Sequence, residues 1–417
     1  MSQASNLTCA LEAETRPVQV STSRSKNKDQ ENEKDAITVR LSESHSPSTN
    51  DSEKATPELD EDDIPDGGFT AWLTVFGAIL VQMVCGYVVA FGVYEDFFVR
   101  SFLNRFTSSQ ISWIGSGSQF ILMTMGFFSG RLLDRGYFYL LYITGSVLIT
   151  LSIFTLSLAR EQQYYQVFLT LGLGFGLGAG AIYVPGVAIV AQHFSTKRAL
   201  VMGIVVSGGS LGAIIYPIVL NNLIHGRVGF ANGVRVSAGL LAACLLLAGV
   251  TMRPRYPKRT GGSTKHRSIV QSMKVFAQDR IYVIANLATF FYIQGFFFPI
   301  FYIQLFSNER GLNPVFGFYS LTILSGGSFI GRLIGGAAVN PFGVLNTVIA
   351  CSAASTILIF VMFGLINVAG VTVFAIIYGF FSGAFLTLLG PMWASMATDR
   401  TEIGRVSSDV EAGIILY

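Results

Sequence analysis

Charge is scarce in this sequence. Of 417 residues only 13% are Asp, Glu, Lys or Arg, whereas a soluble domain carries ~25%. Acids are scarcest in the middle. None occurs between Glu161 and Asp279, between Asp279 and Glu309, or between Glu309 and Asp399. This leaves no pair of aspartates for intramembrane proteolysis. Neither an HExxH zinc motif nor a P-loop is present, so the chain does not read as an enzyme. The four cysteines, Cys9, Cys85, Cys244 and Cys351, form no CxxC and read as small apolar packing residues. His193 and His225 stand alone at the ends of apolar runs. No metal or other cofactor is implied. No basic stripe with interleaved aromatics occurs, which excludes nucleic acid as an expected partner.

Apolar residues are abundant, at 51% of the chain with a mean hydropathy of +0.53. Runs such as 71–94, 111–130, 167–192 and 281–306 contain no Asp, Glu, Lys or Arg. A mostly apolar stretch of about 18 or more residues can cross a bilayer as a helix. Counted between charges and turn residues, spans fall at 70–94, 111–130, 138–159, 164–192, 199–224, 233–252, 281–306, 315–338, 344–366 and 371–397, with a further stub from Ala412. No water in the hydrocarbon pairs free backbone groups, so each span is expected to be a helix. The expected fold class is an all-α polytopic membrane protein, with the lipid bilayer as its first partner.

Residues 1–66 hold 15 of the 25 acids and 7 of the 28 bases. The segment 1–64 is rich in Ser, Thr and charge, a composition expected to stay disordered, and it lacks the apolar core of a signal peptide. If the N-terminus is cytoplasmic, the inner connections carry 14 bases, eight of them in a linker at 253–280, and the outer connections carry 6. Lys and Arg favour the inner side, so the tail is expected in the cytoplasm, with the plasma membrane as the location.

A repeat with a shift of 206 residues links Gly130-x-x-x-Asp134-Arg135 to Gly336-x-x-x-Asn340-Pro341, Pro185 to Pro391, and Gly178 to Ala384. It implies two six-helix halves, 65–252 and 281–417. On that count the second half stops about 40 residues early, with a helix and a half missing.

Several residues could carry function. Arg332 is the base deepest in a span, and no span offers an acid to pair with it. Leaving it unpaired in lipid would cost several kcal/mol. Either an anionic solute or backbone carbonyls satisfy it, or it snorkels to the inner face. Gln82, Gln119, Asn286, Tyr183 and Tyr292 supply amides and phenols within the spans. A cavity lined by such groups suits a small organic solute that is neutral or mildly acidic and partly aromatic. Each tyrosine could equally serve in packing or at the membrane interface. Asp134 and Arg135 end the second span one turn after Arg131. A carboxylate there can accept bonds from a helix N-terminus in one state and lose them in another; a charge pair that only sets topology is the alternative. The glycines at 172–180 and the run Ser207-Gly-Gly-Ser210-Leu-Gly212 read as close helix contacts.

These motifs resemble the major facilitator superfamily, and more narrowly its monocarboxylate-porter-like branch common in fungi. The resemblance rests on Asp66-Gly67-Gly68-Phe69-Thr70-Ala71-Trp72 and on Gly130-Arg-Leu-Leu-Asp134-Arg135. It also rests on His193-Phe-Ser-Thr-Lys197-Arg198-Ala with the glycines that follow, and on Gly331-Arg332-Leu-Ile-Gly335. It implies two six-helix pseudo-repeats working by alternating access, with a gate that includes Arg131, Asp134, Arg135, Lys197 and Arg198. Lactate carriers of the branch bear a lysine late in span one, where Val93 or its neighbours stand here. They bear an aspartate one turn before the span-eight arginine, where this chain has Ser328. Those charges couple monocarboxylate to a proton in the family. Their absence tilts the expectation toward efflux of a secondary metabolite, with a coupling proton a remaining possibility. Uptake of a monocarboxylate or vitamin, and a non-transporting sensor or inactive short form, stay open.

Overall fold

The computed structural model describes residues 67–194, 197–255 and 280–396. The tail, most of the basic linker and the stub after Ala412 lie outside the described residues. Ten long helices follow in order: α1 Phe69–Phe102, α2 Ser108–Asp134, α3 Phe138–Leu156, α4 Tyr164–Gln192, α5 Arg198–Ile224, α6 Gly229–Thr251, α7 Arg280–Glu309, α8 Pro314–Phe342, α9 Val344–Met362 and α10 Val368–Met396. No strand occurs among the described residues. Nine of the ten are long and apolar enough to cross a membrane. The tenth, α2, has 27 residues but carries Ser and Gln through its first three turns.

Local chemistry sets the boundaries. The Thr107 side chain caps α2 by accepting from the Gln110 amide at 3.3 Å, and Gln110 returns a bond to the Thr107 amide at 3.0 Å. Asn313 caps α8 at 2.9 Å, with Pro314 at the first helical position, where its missing N–H costs nothing. The turns after α2 and α8 are tight, and each uses a left-handed glycine, Gly136 at φ 81° and Gly343 at φ 78°, a conformation open to glycine at little cost.

The spans differ from the sequence reading at their ends. The first runs to Phe102, not 94, through a 3₁₀ turn at Gly86–Ala90 and a π turn at Phe98–Phe102. Glu95, Asp96 and Arg100 therefore lie inside a helix. Arg235, counted in an outer connection, sits within α6 and donates to Ser157 at 3.3 Å and to Asn232 at 3.1 Å. These polar groups are paired locally, so the helices continue through them.

The buried side chains form three clusters. One draws on α1 to α6, from Ala71 to Met252. The other two draw on α7 to α10, around Trp393 and around Tyr378. Many large apolar side chains face outward, Leu246 and Phe360 at 73% exposure and Ile349 at 64%. In water such a surface would aggregate; against lipid tails it is the expected exterior.

Candidate functional site: the α5–α8 seam

Helix α5 carries two glycine faces. Gly208 and Gly212 press on the α1 backbone at the carbonyls of Ile79 and Met83. The opposite stripe, residues 199, 203, 206 and 210, alternates steps of four and three, the spacing at which one helix keeps a face toward another. That stripe meets α8. A methyl placed on Gly336 would lie 2.8 Å from the Ala199 carbonyl, and one on Gly203 would lie 2.8 Å from the Arg332 carbonyl and 3.2 Å from Thr387 of α10. Ser210 donates to Ser328 at 3.3 Å. Small residues let the two backbones approach this closely.

Arg332 sits in this seam. It is half-buried, and its Nη1 donates to the Val206 carbonyl across the seam at 2.7 Å. Its Nε is buried without a hydrogen-bond partner. A backbone carbonyl, one of the partners that the sequence left open for Arg332, is thus within bonding reach of the guanidinium. Gln82 of α1 is 2% exposed, and its amide donates to the Tyr183 carbonyl of α4 at 3.3 Å. A methyl on Gly209 would lie 3.0 Å from Nη1 of Arg332 and 3.7 Å from the Gln82 carbonyl oxygen. Arg332, Gln82 and Tyr183 thus come together from α8, α1 and α4.

The other candidates lie elsewhere. Asn286 is spent on its own helix, donating to the Tyr282 carbonyl at 3.0 Å. The Tyr292 ring packs on Phe385 with centroids 3.9 Å apart, and its hydroxyl is buried without a partner. Gln119 is half-buried on α2. Among the described residues none of these three bonds to or stacks on Arg332.

Asp134 closes α2, and Arg131 stacks over Phe127 at 4.2 Å. Arg135 and Lys197 are exposed, and Arg198 is half-buried. The bases at the start of α5 adjoin the Ala199–Gly336 contact. His193 bonds the Arg253 carbonyl at 2.9 Å and His225 the Asn221 carbonyl at 3.2 Å. Both imidazoles are satisfied as structural groups. Cys85, Cys244 and Cys351 are buried free thiols.

Two groups at the seam take partners that the sequence did not indicate. Ser210 falls within Gly208-Gly209-Ser210-Leu211-Gly212, which spells the GxSxG of a nucleophile elbow. Here the run lies inside α5 rather than at a strand-to-helix turn, and the Ser210 hydroxyl bonds Ser328. Val206 was invisible because it acts through its carbonyl. A second polar cluster is internal to the first six helices, where Tyr87 bonds Tyr94 at 2.5 Å and Ser237 at 3.2 Å.

Ten long helices among the described residues, apolar on the outside and joined at a polar seam, define a multi-pass membrane protein. Residues 68–408 match the Major Facilitator Superfamily, and the chain belongs to that family. It is 33% identical over 366 residues to the Aspyridones efflux protein apdF of Emericella nidulans, covering 87% of this chain and 73% of that one. It is 32% identical over 335 residues to the Agnestins efflux protein AgnL12 of Paecilomyces divaricatus, covering 80% and 75%. The MFS-type transporter pytF of Aspergillus terreus is 35% identical over 295 residues, 70% of this chain and 97% of that one. Among solved structures, the human organic anion transporter MFSD10 superposes with a TM-score of 0.63 at 14% identity, covering 83% of this chain and 90% of that one. FucP in the outward conformation gives 0.53 at 17%, covering 82% and 97%. At such identities the likeness is one of fold.

Proposed function

We propose that the chain exports an acidic, partly aromatic secondary metabolite from the cell by alternating access, with Arg332 receiving the anionic group. The observation that carries this reading is a guanidinium in the α5–α8 seam that no described carboxylate neutralises and whose Nε is unbonded. A half-buried cation held by one neutral carbonyl retains attraction for an anion. Tyr183 and Gln82 offer the ring and amide for the rest of the solute; Tyr292, Asn286 and Gln119 are assigned to the wider path. Efflux is favoured by the names of the relatives above and by Ser328, which stands where lactate carriers of the monocarboxylate-porter-like branch have an aspartate.

The moving bodies on this reading are 65–252 and 281–417, joined by the linker 253–280. The tail and linker face the cytoplasm, and the plasma membrane is the site of action. Arg131, Asp134, Arg135, Lys197 and Arg198 form the inner gate. The coupling ion is a proton, and Glu95 is its carrier: it is half-buried on α1 and accepts from Ser112 of α2.

Inside-out vesicles bearing the chain test the proposal with a panel of aromatic carboxylic acids and their amides. Acids should accumulate over amides. Arg332→Gln should lower acid accumulation about tenfold or more, the ~1.4 kcal/mol per decade of a lost charge contact, without lowering the amount of protein in the membrane. Equal accumulation by parent and variant would sink the role of Arg332. A protonophore that leaves accumulation unchanged would remove the proton and Glu95 from the scheme.

A further inference from the structure

We propose that Gly209 is a positioning residue that lets the unloaded carrier dock Arg332 on the opposite half, so that an anion binds only by taking the guanidinium from the Val206 carbonyl. This rests on the reading of Arg332 as the anion contact.

The glycines of α5 separate by what a side chain would meet. At Gly208 and Gly212 it would strike the α1 backbone, so these residues serve helix packing. At Gly209, one residue further round, a methyl would meet Nη1 of Arg332 at 3.0 Å; its only other neighbour within 4 Å is the Gln82 carbonyl oxygen at 3.7 Å. The Nη1 end of the guanidinium therefore lies beside Gly209 and is bonded to the carbonyl three residues earlier at 2.7 Å. A Cβ at this position crowds it: at 3.0 Å the neighbour must give by a few tenths of an ångström, and the movable partner is the long Arg332 side chain rather than backbone.

The Val206 carbonyl and the anion then compete for the position of one side chain, the carbonyl through Nη1 and the anion through the fork. A guanidinium has five N–H groups in a planar fork and favours bidentate carboxylate pairing over a single carbonyl. Binding the solute and releasing a bond between α5 and α8 become one event. A ligand shifts a conformational equilibrium only through a difference in contacts between states, and this exchange supplies such a difference in the seam itself. Helix packing alone would leave Gly209 as tolerant of alanine as Gly326 of α8, whose methyl position has nothing within 4 Å.

The full chain in lipid nanodiscs allows a test that does not need the natural solute. Phenylglyoxal modifies free guanidinium groups, and peptide mass spectrometry reads its rate at Arg332 alone. Gly209→Ala should raise that rate about threefold to tenfold, as expected for the loss of one hydrogen bond to a charged group. Gly209→Ser adds the same Cβ and should raise it too, which covers the case of one variant failing to fold. Gly326→Ala should leave the rate at the parent value. Rates at Arg332 that are equal in the parent and in whichever Gly209 variant folds overturn the docking. Benzoate serves as the anionic probe. If it slows modification of Arg332 in the parent, the anion contact stands, and Gly209→Ala should then lower the concentration needed by a similar factor. Faster modification in Gly209→Ala without benzoate protection keeps the docking and overturns the anion contact. Protection with no difference between parent and variant does the reverse.

Discussion

The first six helices cover one another more fully than the last four do. The central helices match: α4 and α10 each have 61% of their most apolar window buried. Their companions do not. Helix α1 is 56% buried and α7 only 17%; α3 is 39% buried and α9 only 22%. The difference traces to α6, which packs on both α1 and α3. Among the described residues α8 and α10 each touch α7 and α9, but neither covers both as extensively as α6 covers α1 and α3. Burial in the second group is therefore concentrated on α8 and α10, the pair with the most extensive contact in the structure. In lipid this is tolerable, because an apolar side chain loses little by facing acyl chains; packing, small residues and hydrogen bonds decide association instead.

The comparison breaks most visibly at glycines. Gly212→Leu drives a side chain into the Met83 carbonyl of α1. Overpacking at a backbone contact costs about 1–3 kcal/mol and more where nothing can yield, so we expect little folded protein and a strongly lowered melting temperature in detergent. At Gly295 on α7 a Cβ would meet only the tip of Ile359 at 3.4 Å, and Gly295→Leu should express and melt like the parent. Similar losses for both variants would show that the two groups of helices are equally tight.

A smaller effect comes from the hydroxyl pair inside the first group. Tyr87→Phe removes the bonds to Tyr94 and Ser237 while leaving the ring contacts with Phe175 and Tyr216. At about 1 kcal/mol per buried hydrogen bond, the expected cost is a fall of a few degrees in melting temperature. An unchanged midpoint would place that network outside the stability of the first six helices.

Much of this was legible in the sequence. All ten helices followed from long apolar runs, eight of them free of charge, because bilayer thickness and backbone pairing leave one solution for such a run. Their ends were less legible. Glu95 and Asp96 looked like a stop, yet Arg100 pairs with Asp96 one turn on at 2.7 Å and the helix continues. At the site, Arg332 stood out by its cost in lipid, and its meeting with Gln82 and Tyr183 could be anticipated only as a list of polar groups. Their convergence depends on how three helices pack, which a hydropathy pattern does not encode. The division of α5 glycines into an α1 face and an Arg332 face was hidden for the same reason. Gly208 and Gly209 are identical letters side by side, and the rotation of about 100° between neighbours on a helix gives them different partners.

The gentlest test lies on the outside of α9. Ile357 is 65% exposed there, whereas Ile149 on α3 is fully buried against α4, its side chain touching the position a methyl on Gly178 would take. If the exterior of α9 faces acyl chains, Ile357→Ala exchanges one apolar surface for a smaller one in an apolar solvent and creates no cavity. The change should stay within about 0.5 kcal/mol. Melting in nanodiscs, where lipid is present, and in short-chain detergent should then agree. A cost of about 2 kcal/mol or more, the range for emptying a packed site, would mean that a protein surface covers Ile357, and that the open flank of α7 and α9 is a contact rather than a lipid face.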